Sequence, residues 1–239
     1  MYRSPRSVLL DEIFPTSHAH CARTLRRTMY DSGRYQDRTE AGSCLAEALL
    51  DRNVAADIVL AIPRGGLPPG RVVADALEVP LDIVVARKIG APGNPEYAIG
   101  AVASDGSVWR NDIAIRNTGV SDADFEQRSR EAAAEAAKKA EKYRRGRSPP
   151  SLSGKIVVLV DDGVATGSTV RACLKQVQAA DPAHVVLAVP VGPPQTIAEL
   201  EHLADEVVCP LTPSSFRGVG QFYERFDQVP DEAAMAYLE

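Results

Sequence analysis

From residue 37 onward, apolar positions fall into two alternating rhythms, one of helical and one of strand period. Ala41, Leu45, Ala48 and Leu49 recur at helical spacing behind Asp37 and Glu40, which stand as a capping-box pair, so the first helix is predicted here. Residues 57–62 form an apolar run of strand character that breaks at Pro63-Arg64-Gly65-Gly66. Gly70, Val73, Ala74 and Leu77 then share one face of a second predicted helix, and residues 81–86 read as the next strand. The unit repeats downstream as a strand at 155–160, a helical stripe of Val170, Cys173, Leu174 and Val177, and a strand at 185–189. A helix around 197–204 and a short strand at 206–209 complete the pattern. Strand, glycine-rich turn, helix and strand in that order imply right-handed crossovers, and the chain reads as α/β with a doubly wound parallel sheet.

Between the two units the character changes. Residues 98–103 and 113–116 are expected as strands, followed by a long charged helix over 121–145. Its acids come early and Lys138, Lys139, Lys142, Arg144 and Arg145 late, as the helix macrodipole favours, and solvation alone accounts for such a helix. Ser148-Pro149-Pro150 ends this insertion, which occupies residues 117–150. Residues 1–33 show no sustained period and are expected as a loosely structured extension ahead of one domain over 34–239. His18, His20 and Cys21 in that extension lack the second cluster a metal site needs.

Composition narrows the class. A chain of 239 residues, 45% hydrophobic and 25% charged, is long enough for a single sizeable core. Its net charge of −5 argues against a general nucleic-acid or membrane-surface binder and leaves small anionic ligands open. Cys21, Cys44, Cys173 and Cys209 are scattered without a C-x-x-C pair, which fits a reducing compartment. No stretch has the uninterrupted apolar length of a membrane span, and residues 1–10 lack a signal-peptide core, so a soluble cytoplasmic protein is expected.

The chemistry concentrates in Val157-Val158-Leu159-Val160-Asp161-Asp162-Gly163-Val164-Ala165-Thr166-Gly167-Ser168-Thr169. Four apolar residues make a strand, two carboxylates stand at its carboxyl end, and a Gly/Ser/Thr loop enters a helix, which is where ligands sit in an open α/β sheet. Successive backbone N–H groups from Gly163 to Thr169, with the hydroxyls of Thr166, Ser168 and Thr169, form a cradle for a monophosphate. Neither G-x-x-x-x-G-K-[ST] nor G-x-G-x-x-G occurs at this turn, which removes P-loop and dinucleotide-binding readings. Paired carboxylates before a phosphate site can accept hydrogen bonds from sugar hydroxyls and hold a hard cation, pointing to a sugar phosphate with magnesium; the plainer alternative is two strand-end acids capping a helix. Gly65 and Gly66 allow close backbone approach after their strand while Arg64 adds a fixed positive charge, and Arg87 and Lys88 are expected at the end of the next strand, facing the same crevice.

The hydrophobic-four, Asp-Asp-Gly-x-Ala-Thr-Gly-Ser-Thr segment resembles the phosphoribosyl pyrophosphate motif of type I phosphoribosyltransferases. Residues 38–42, 62–66, 86–100 and 216–226 are similar to a group of predicted members whose acceptor is open, and the likeness spans about residues 34–239. The resemblance implies a type I phosphoribosyltransferase-like sheet with a small hood. It also implies transfer of a 5-phosphoribosyl group from 5-phosphoribosyl-1-pyrophosphate to a nitrogen acceptor, with nucleobase salvage as the leading pathway and a homo-oligomer allowed. Asp161 and Asp162 would contact the ribose hydroxyls, Gly163, Val164, Ala165, Thr166, Gly167, Ser168 and Thr169 would surround the 5-phosphate, and Mg2+ would bridge the hydroxyls and the pyrophosphate. Pro63-Arg64-Gly65-Gly66 would be the pyrophosphate loop, often with an unusual peptide conformation, and Lys88 would be a basic residue set against the leaving group. Residues 90–97 match the place of a mobile catalytic loop, with Glu96 either a base or a surface acid. Ala165 departs from the hypoxanthine- and guanine-salvaging enzymes, which usually place an Asp there. The hood candidates are residues 34–38 and 216–226, where Phe216, Phe222 and Tyr223 either stack a base or complete the core. A rival of another class is a non-catalytic phosphoribosyl pyrophosphate-binding regulator.

Overall fold

A computed structural model describes residues 34–239; His18, His20, Cys21 and the expected extension over 1–33 lie outside the described residues. The centre is a five-stranded parallel sheet of β1 (Ile58–Ala61), β2 (Leu81–Ile83), β6 (Ile156–Val160), β7 (His184–Ala188) and β8 (Glu206–Val208), in the order β2-β1-β6-β7-β8. Buried on both faces, its strands are near-continuous apolar runs whose alternate residues enter different layers. Ile58, Leu60, Val157, Leu159, Val185 and Leu187 pack under α5 (Ser168–Ala179) and α6 (Pro194–Leu200) through Val170, Cys173, Leu174, Val177, Ile197 and Leu200. Val59, Val158, Val160 and Val186 pack on the opposite face against Leu45 and Leu49 of α1 (Arg38–Asp51) and Val73 and Ala74 of α2 (Leu67–Leu77).

The chain leaves β1 toward β2 and leaves β6 toward β7, so the connections diverge between the adjacent strands β1 and β6, paired from Ile58↔Val157 to Ala61↔Val160. That divergence opens a crevice at the carboxyl ends of these two strands.

α1 starts where the sequence pattern puts it. The Asp37 side chain accepts hydrogen bonds from the Thr39 and Glu40 N–H groups at 3.0 and 3.1 Å, while Glu40 reaches back to the Gln36 N–H, one residue earlier than a strict capping box. Asp37→Ala is expected to destabilise the fold by about 1 kcal/mol in denaturant titrations, from the lost cap, with little added by the exposed Arg225 ion pair.

The stretch between the two strand–helix–strand units differs from expectation in three places. Residues 113–116 belong to a helix, α3 (Asp112–Thr118), because the Asn111 side chain accepts from the Ala114 N–H at 3.0 Å and Gly119, at φ 66°, ends the turn; local caps outweigh the β-branched pair Ile113 and Ile115. Residues 90–97 are a hairpin and not an open loop: β3 (Ala86–Ala91) and β4 (Asn94–Ala103) pair antiparallel up to Ala91↔Asn94, with Gly93 at φ 75°, and β5 (Val108–Arg110) completes a small second sheet. The long helix α4 (Asp122–Arg144) is also not solvated all round. Phe125 packs on the small sheet, while Ala136, Ala140 and Tyr143 enter a cluster with Ala61, Leu67, Ile83 and Val85. Small alanines on that stripe let α4 lie close to the parallel sheet and its carboxyl-end loops.

Residues 34–37 and 219–226 meet as the hood: Tyr35 and Tyr223 form a parallel bridge, and a 3-10 turn at Val219–Phe222 leads toward α7 (Asp231–Ala236). Among the described residues no helix is long and apolar enough to cross a membrane, and Cys173 and Cys209 are free thiols.

Candidate functional site

The two loops that leave β1 and β6 meet across the crevice. After Ile62 the chain turns through Pro63, Arg64, Gly65 and Gly66, with the Pro63–Arg64 peptide cis, the kind of unusual conformation the sequence resemblance implied. After Val160 it passes Asp161 and Asp162 into Gly163 at φ 149° and on to Gly167 at φ 74°, a left-handed position that glycine takes without strain. A Cβ on Gly66 would lie 2.7 Å from the carbonyl oxygens of both Ile62 and Val160, and one on Gly65 would fall on the Asp162 carboxylate. The loops are therefore in backbone contact, and glycine is what permits it.

The phosphate-type loop is braced from below and open above. Val164 donates its N–H to the Val191 carbonyl at 2.9 Å, and the Thr196 hydroxyl donates to the Ala165 carbonyl at 2.8 Å. Ala165 and Thr166 are exposed, the Thr166 and Ser168 hydroxyls lie 3.2 Å apart, and no side chain caps the first turn of α5. Its N–H groups are thus left for a ligand.

Asp161 and Asp162 sit half-buried at the end of β6. The Asp161 Oδ1 accepts the Asp162 N–H at 2.9 Å, the Arg38 Nε donates to Asp162 Oδ2 at 2.7 Å, and the Tyr223 hydroxyl donates to the Asp162 carbonyl at 2.5 Å. Burial, and then the neighbouring Asp162 charge, hold the Asp161 carboxyl well above the usual carboxylate range. Burial raises Asp162 as well, although the Arg38 guanidinium opposes the shift. Two buried carboxylates side by side with one arginine form a site short of positive charge, suited to a cation or to hydroxyl donors.

The cations gather on the other bank. Arg64 Nη1 lies 3.4 Å from Asp231 Oδ1, Arg87 pairs with Glu135 of α4, and the Lys139 ammonium donates to the Pro63 carbonyl at 3.1 Å. Arg87 and Lys88 do not both end a strand at the crevice as expected: they are the second and third residues of β3, and alternation sends them to opposite faces. Arg87 turns to α4. Lys88 bonds instead to Glu96 across the hairpin, at 2.9 Å to its carboxylate and 3.2 Å to its carbonyl.

In the hood, Tyr35, Phe222 and Tyr223 are buried and their rings join Phe216 and Phe226, with Tyr35–Tyr223, Phe216–Phe222 and Tyr223–Phe226 centroids 5.4, 5.2 and 4.8 Å apart. Phe222 and Tyr223 complete a core and are not free to stack a base. The Arg38 guanidinium lies 3.9 Å over the Phe226 ring and also donates to the Asp227 carbonyl at 2.8 Å, so Arg38 and the Tyr223 hydroxyl together fasten the hood to Asp162. The sequence reading placed Arg38 and Tyr223 in the hood without linking either to Asp162, and gave Lys139 no role in the site. For Arg38 a signal was present, since it opens α1 directly after the Asp37 cap; for Lys139 nothing separated it from the other basic residues of α4.

A family model described as the phosphoribosyl transferase domain matches residues 38–226. Proteins from two strains of Mycobacterium tuberculosis, both provisionally named phosphoribosyl transferases, are 42% identical to the chain over 205 residues, covering 86% of this chain and 46% of theirs. The chain therefore spans about half the length of the curated relatives it matches. A crystal structure of a Thermus thermophilus protein superimposes with a TM-score of 0.73 at 42% identity, covering 86% of this chain and 97% of that one. With the matched region running from the hood arginine Arg38 through both crevice loops to Phe226, the chain belongs to the phosphoribosyl transferase domain family.

Proposed function

We propose that the chain transfers a 5-phosphoribosyl group from 5-phosphoribosyl-1-pyrophosphate to a nitrogen acceptor, a nucleobase being the leading class, and releases pyrophosphate. The observation that carries this reading is the contact between the Asp161–Asp162 end of β6 with its Gly163-to-Thr169 loop and the Pro63-Arg64-Gly65-Gly66 turn. One bank offers carboxylates and a phosphate cradle, the other offers cations and a tight turn, and a ribose carrying phosphate at one end and pyrophosphate at the other matches both. The exposed methyl group of Ala165 transfers no proton, which weighs against the hypoxanthine- and guanine-type arrangement.

Magnesium suits the donor set. Asp161 and Asp162 are hard oxygen ligands, and among the described residues no group of three or more His, Cys, Asp or Glu gathers to enclose an ion without help. That matches the preference of Mg2+ for one or two carboxylates, with its remaining positions filled by substrate oxygens and water. Such an ion would supply charge neutralisation to the departing pyrophosphate. The chain's own part is to hold the ribose hydroxyls on Asp161 and Asp162, whose negative charge favours the cationic, oxocarbenium-like sugar, and to place Arg64 beside the leaving group. The reducing cytoplasm suits such an enzyme, with Cys173 and Cys209 free thiols.

Pyrophosphate release from the donor with magnesium, screened against purine and pyrimidine bases and small amines beside a donor titration, tests the proposal. Acceptor-dependent release is expected. Tight donor binding with no release for any acceptor would move the reading to a regulator. A regulator acting on nucleic acid would use the basic run from Lys138 to Arg147, and five of its members, Lys139, Lys142, Arg144, Arg145 and Arg147, bond within the protein, to Pro63, Asp231, Asp82, Glu239 and Leu238 respectively.

A further inference from the structure

We infer that Lys139, carried by the inserted helix α4, is a direct ligand for the diphosphate part of the donor, and that α4 is thereby part of the substrate site. This rests on the phosphoribosyl transfer proposed above and adds a binding residue from outside the loops of the parallel sheet.

Four side chains of α4, Glu135, Lys139, Lys142 and Tyr143, lie along one side of the helix at spacings that stack them. All four engage the cationic bank: Glu135 holds Arg87, Lys139 holds the Pro63 carbonyl, and Lys142 and the Tyr143 hydroxyl hold Asp231 at 2.6 and 2.7 Å, the carboxylate that also meets Arg64. The long helix is therefore docked on the Pro63-to-Gly66 turn through polar contacts, beyond its apolar stripe.

Within this cluster Lys139 is the cation whose charge is unanswered. Among the described residues Arg64, Arg87 and Lys142 each have a carboxylate within ion-pair distance, whereas the bond of Lys139 is to a neutral carbonyl. An ammonium has three donors, so others remain for a ligand. The side chain is half-buried, lies 5.6 Å from the Tyr143 ring centroid, and is surrounded by groups of both signs: Arg64 and Arg87 oppose its charge, Asp231 and Asp161 favour it. Burial first, and then Arg64, pull its ammonium below the ordinary lysine value. A half-buried cation crowded by two arginines at the mouth of a glycine-lined turn is costly in the empty protein, and an incoming polyanion removes that cost. A diphosphate, with oxygens enough for Arg64 and Lys139 together, answers the arrangement better than a monophosphate, for which the Gly163-to-Thr169 loop already provides.

The test uses Lys139→Met, which keeps the aliphatic stem against Tyr143, with Lys139→Arg as the charge-conserving variant and Lys138→Met on the exposed side of the same helix as control. Calorimetry with magnesium would be run against inorganic pyrophosphate, 5-phosphoribosyl-1-pyrophosphate and ribose 5-phosphate. Lys139→Met is expected to weaken pyrophosphate and donor on the order of tenfold or more, the value of one charge-assisted hydrogen bond. Ribose 5-phosphate and the Lys138→Met control should stay unchanged, and Lys139→Arg should recover most of the affinity. Lysine-selective NMR supplies the readout that a purely structural pin would not move: the Lys139 signal should titrate at higher pH once pyrophosphate is bound. Unchanged pyrophosphate affinity in Lys139→Met beside a binding wild type overturns the assignment, and so does an affinity loss with a Lys139 titration that pyrophosphate leaves in place. A wild type that binds neither donor nor pyrophosphate overturns the transferase reading itself.

Discussion

Replacing both Asp161 and Asp162 with asparagine is expected to remove magnesium-dependent binding of 5-phosphoribosyl-1-pyrophosphate, a loss on the order of a hundredfold or more if each carboxylate contributes one charge-assisted hydrogen bond to the ribose. Unchanged donor affinity in calorimetry would sink the ribose-contact assignment. The single variant Asp161→Asn should lose affinity and yet melt at a higher temperature at neutral pH. The amide keeps the oxygen that accepts the Asp162 N–H and removes one of two adjacent buried charges. The sign follows from linkage. A carboxyl whose native value is raised above its unfolded value of 3.8 leaves the native state holding more protons than the unfolded state as pH rises past that value. Stability therefore falls with rising pH until the raised native value is passed. The advantage of Asp161→Asn should be full above that raised value and vanish as pH drops through the ordinary carboxylate range. A melting difference that is flat with pH would show that the site does not store this electrostatic cost.

Gly66→Ala is expected to force the two crevice loops apart. Its Cβ would meet the Ile62 and Val160 carbonyl oxygens at 2.7 Å and the Asp161 Cα at 3.0 Å, all backbone atoms of the two switch-point strands and their loops, so no rotamer change relieves it. The loops must part. Overpacking of this kind costs about 1–3 kcal/mol, roughly 2–12 °C in melting temperature for a domain of this size. Donor affinity should fall with it, because the carboxylates and the cationic turn lose their register. Gly65→Ala makes a useful contrast. Its clash is with the Asp162 side chain, which can swing aside, so it should spare stability more than Gly66→Ala while breaking the Arg38 pair and donor binding. Equal melting temperatures for Gly66→Ala and wild type would refute the close approach of the loops.

The parallel sheet and its crevice were readable because their determinants are contiguous. A strand buried on both faces must be an apolar run, and a phosphate cradle must be consecutive backbone, so Val157 to Thr169 announces both. What escaped depends on partners far away in the chain. Arg38 finds Asp162 across 124 positions, Lys139 finds Pro63 across 76 and Tyr223 finds Asp162 across 61, distances over which neither periodicity nor spacing carries information. The buried stripe of α4 escaped because it is built from Ala136 and Ala140, whose small side chains read as neutral filler among charges. Ile113 and Ile115 misled for the opposite reason: their β-branched side chains suggested a strand, whereas Asn111 and Gly119 at the flanks decided for a helix.

The way the crevice is fastened has a bearing on how the chain acquires it during synthesis. Both crevice loops and α4 precede residue 170, and a chain emerging vectorially from the ribosome can assemble β1, β2 and β6 early. The groups that quiet the charges of the crevice come late: the Tyr223 hydroxyl, the Asp227 carbonyl on Arg38 and the Asp231 carboxylate shared by Arg64, Lys142 and Tyr143. Until residue 231 has emerged, a nascent sheet carries Arg64 without its counterion and a hood lacking its second half. The order of synthesis therefore sets the order in which the charges of the crevice are paired, with the stretch from Tyr223 to Asp231 arriving after both loops it fastens.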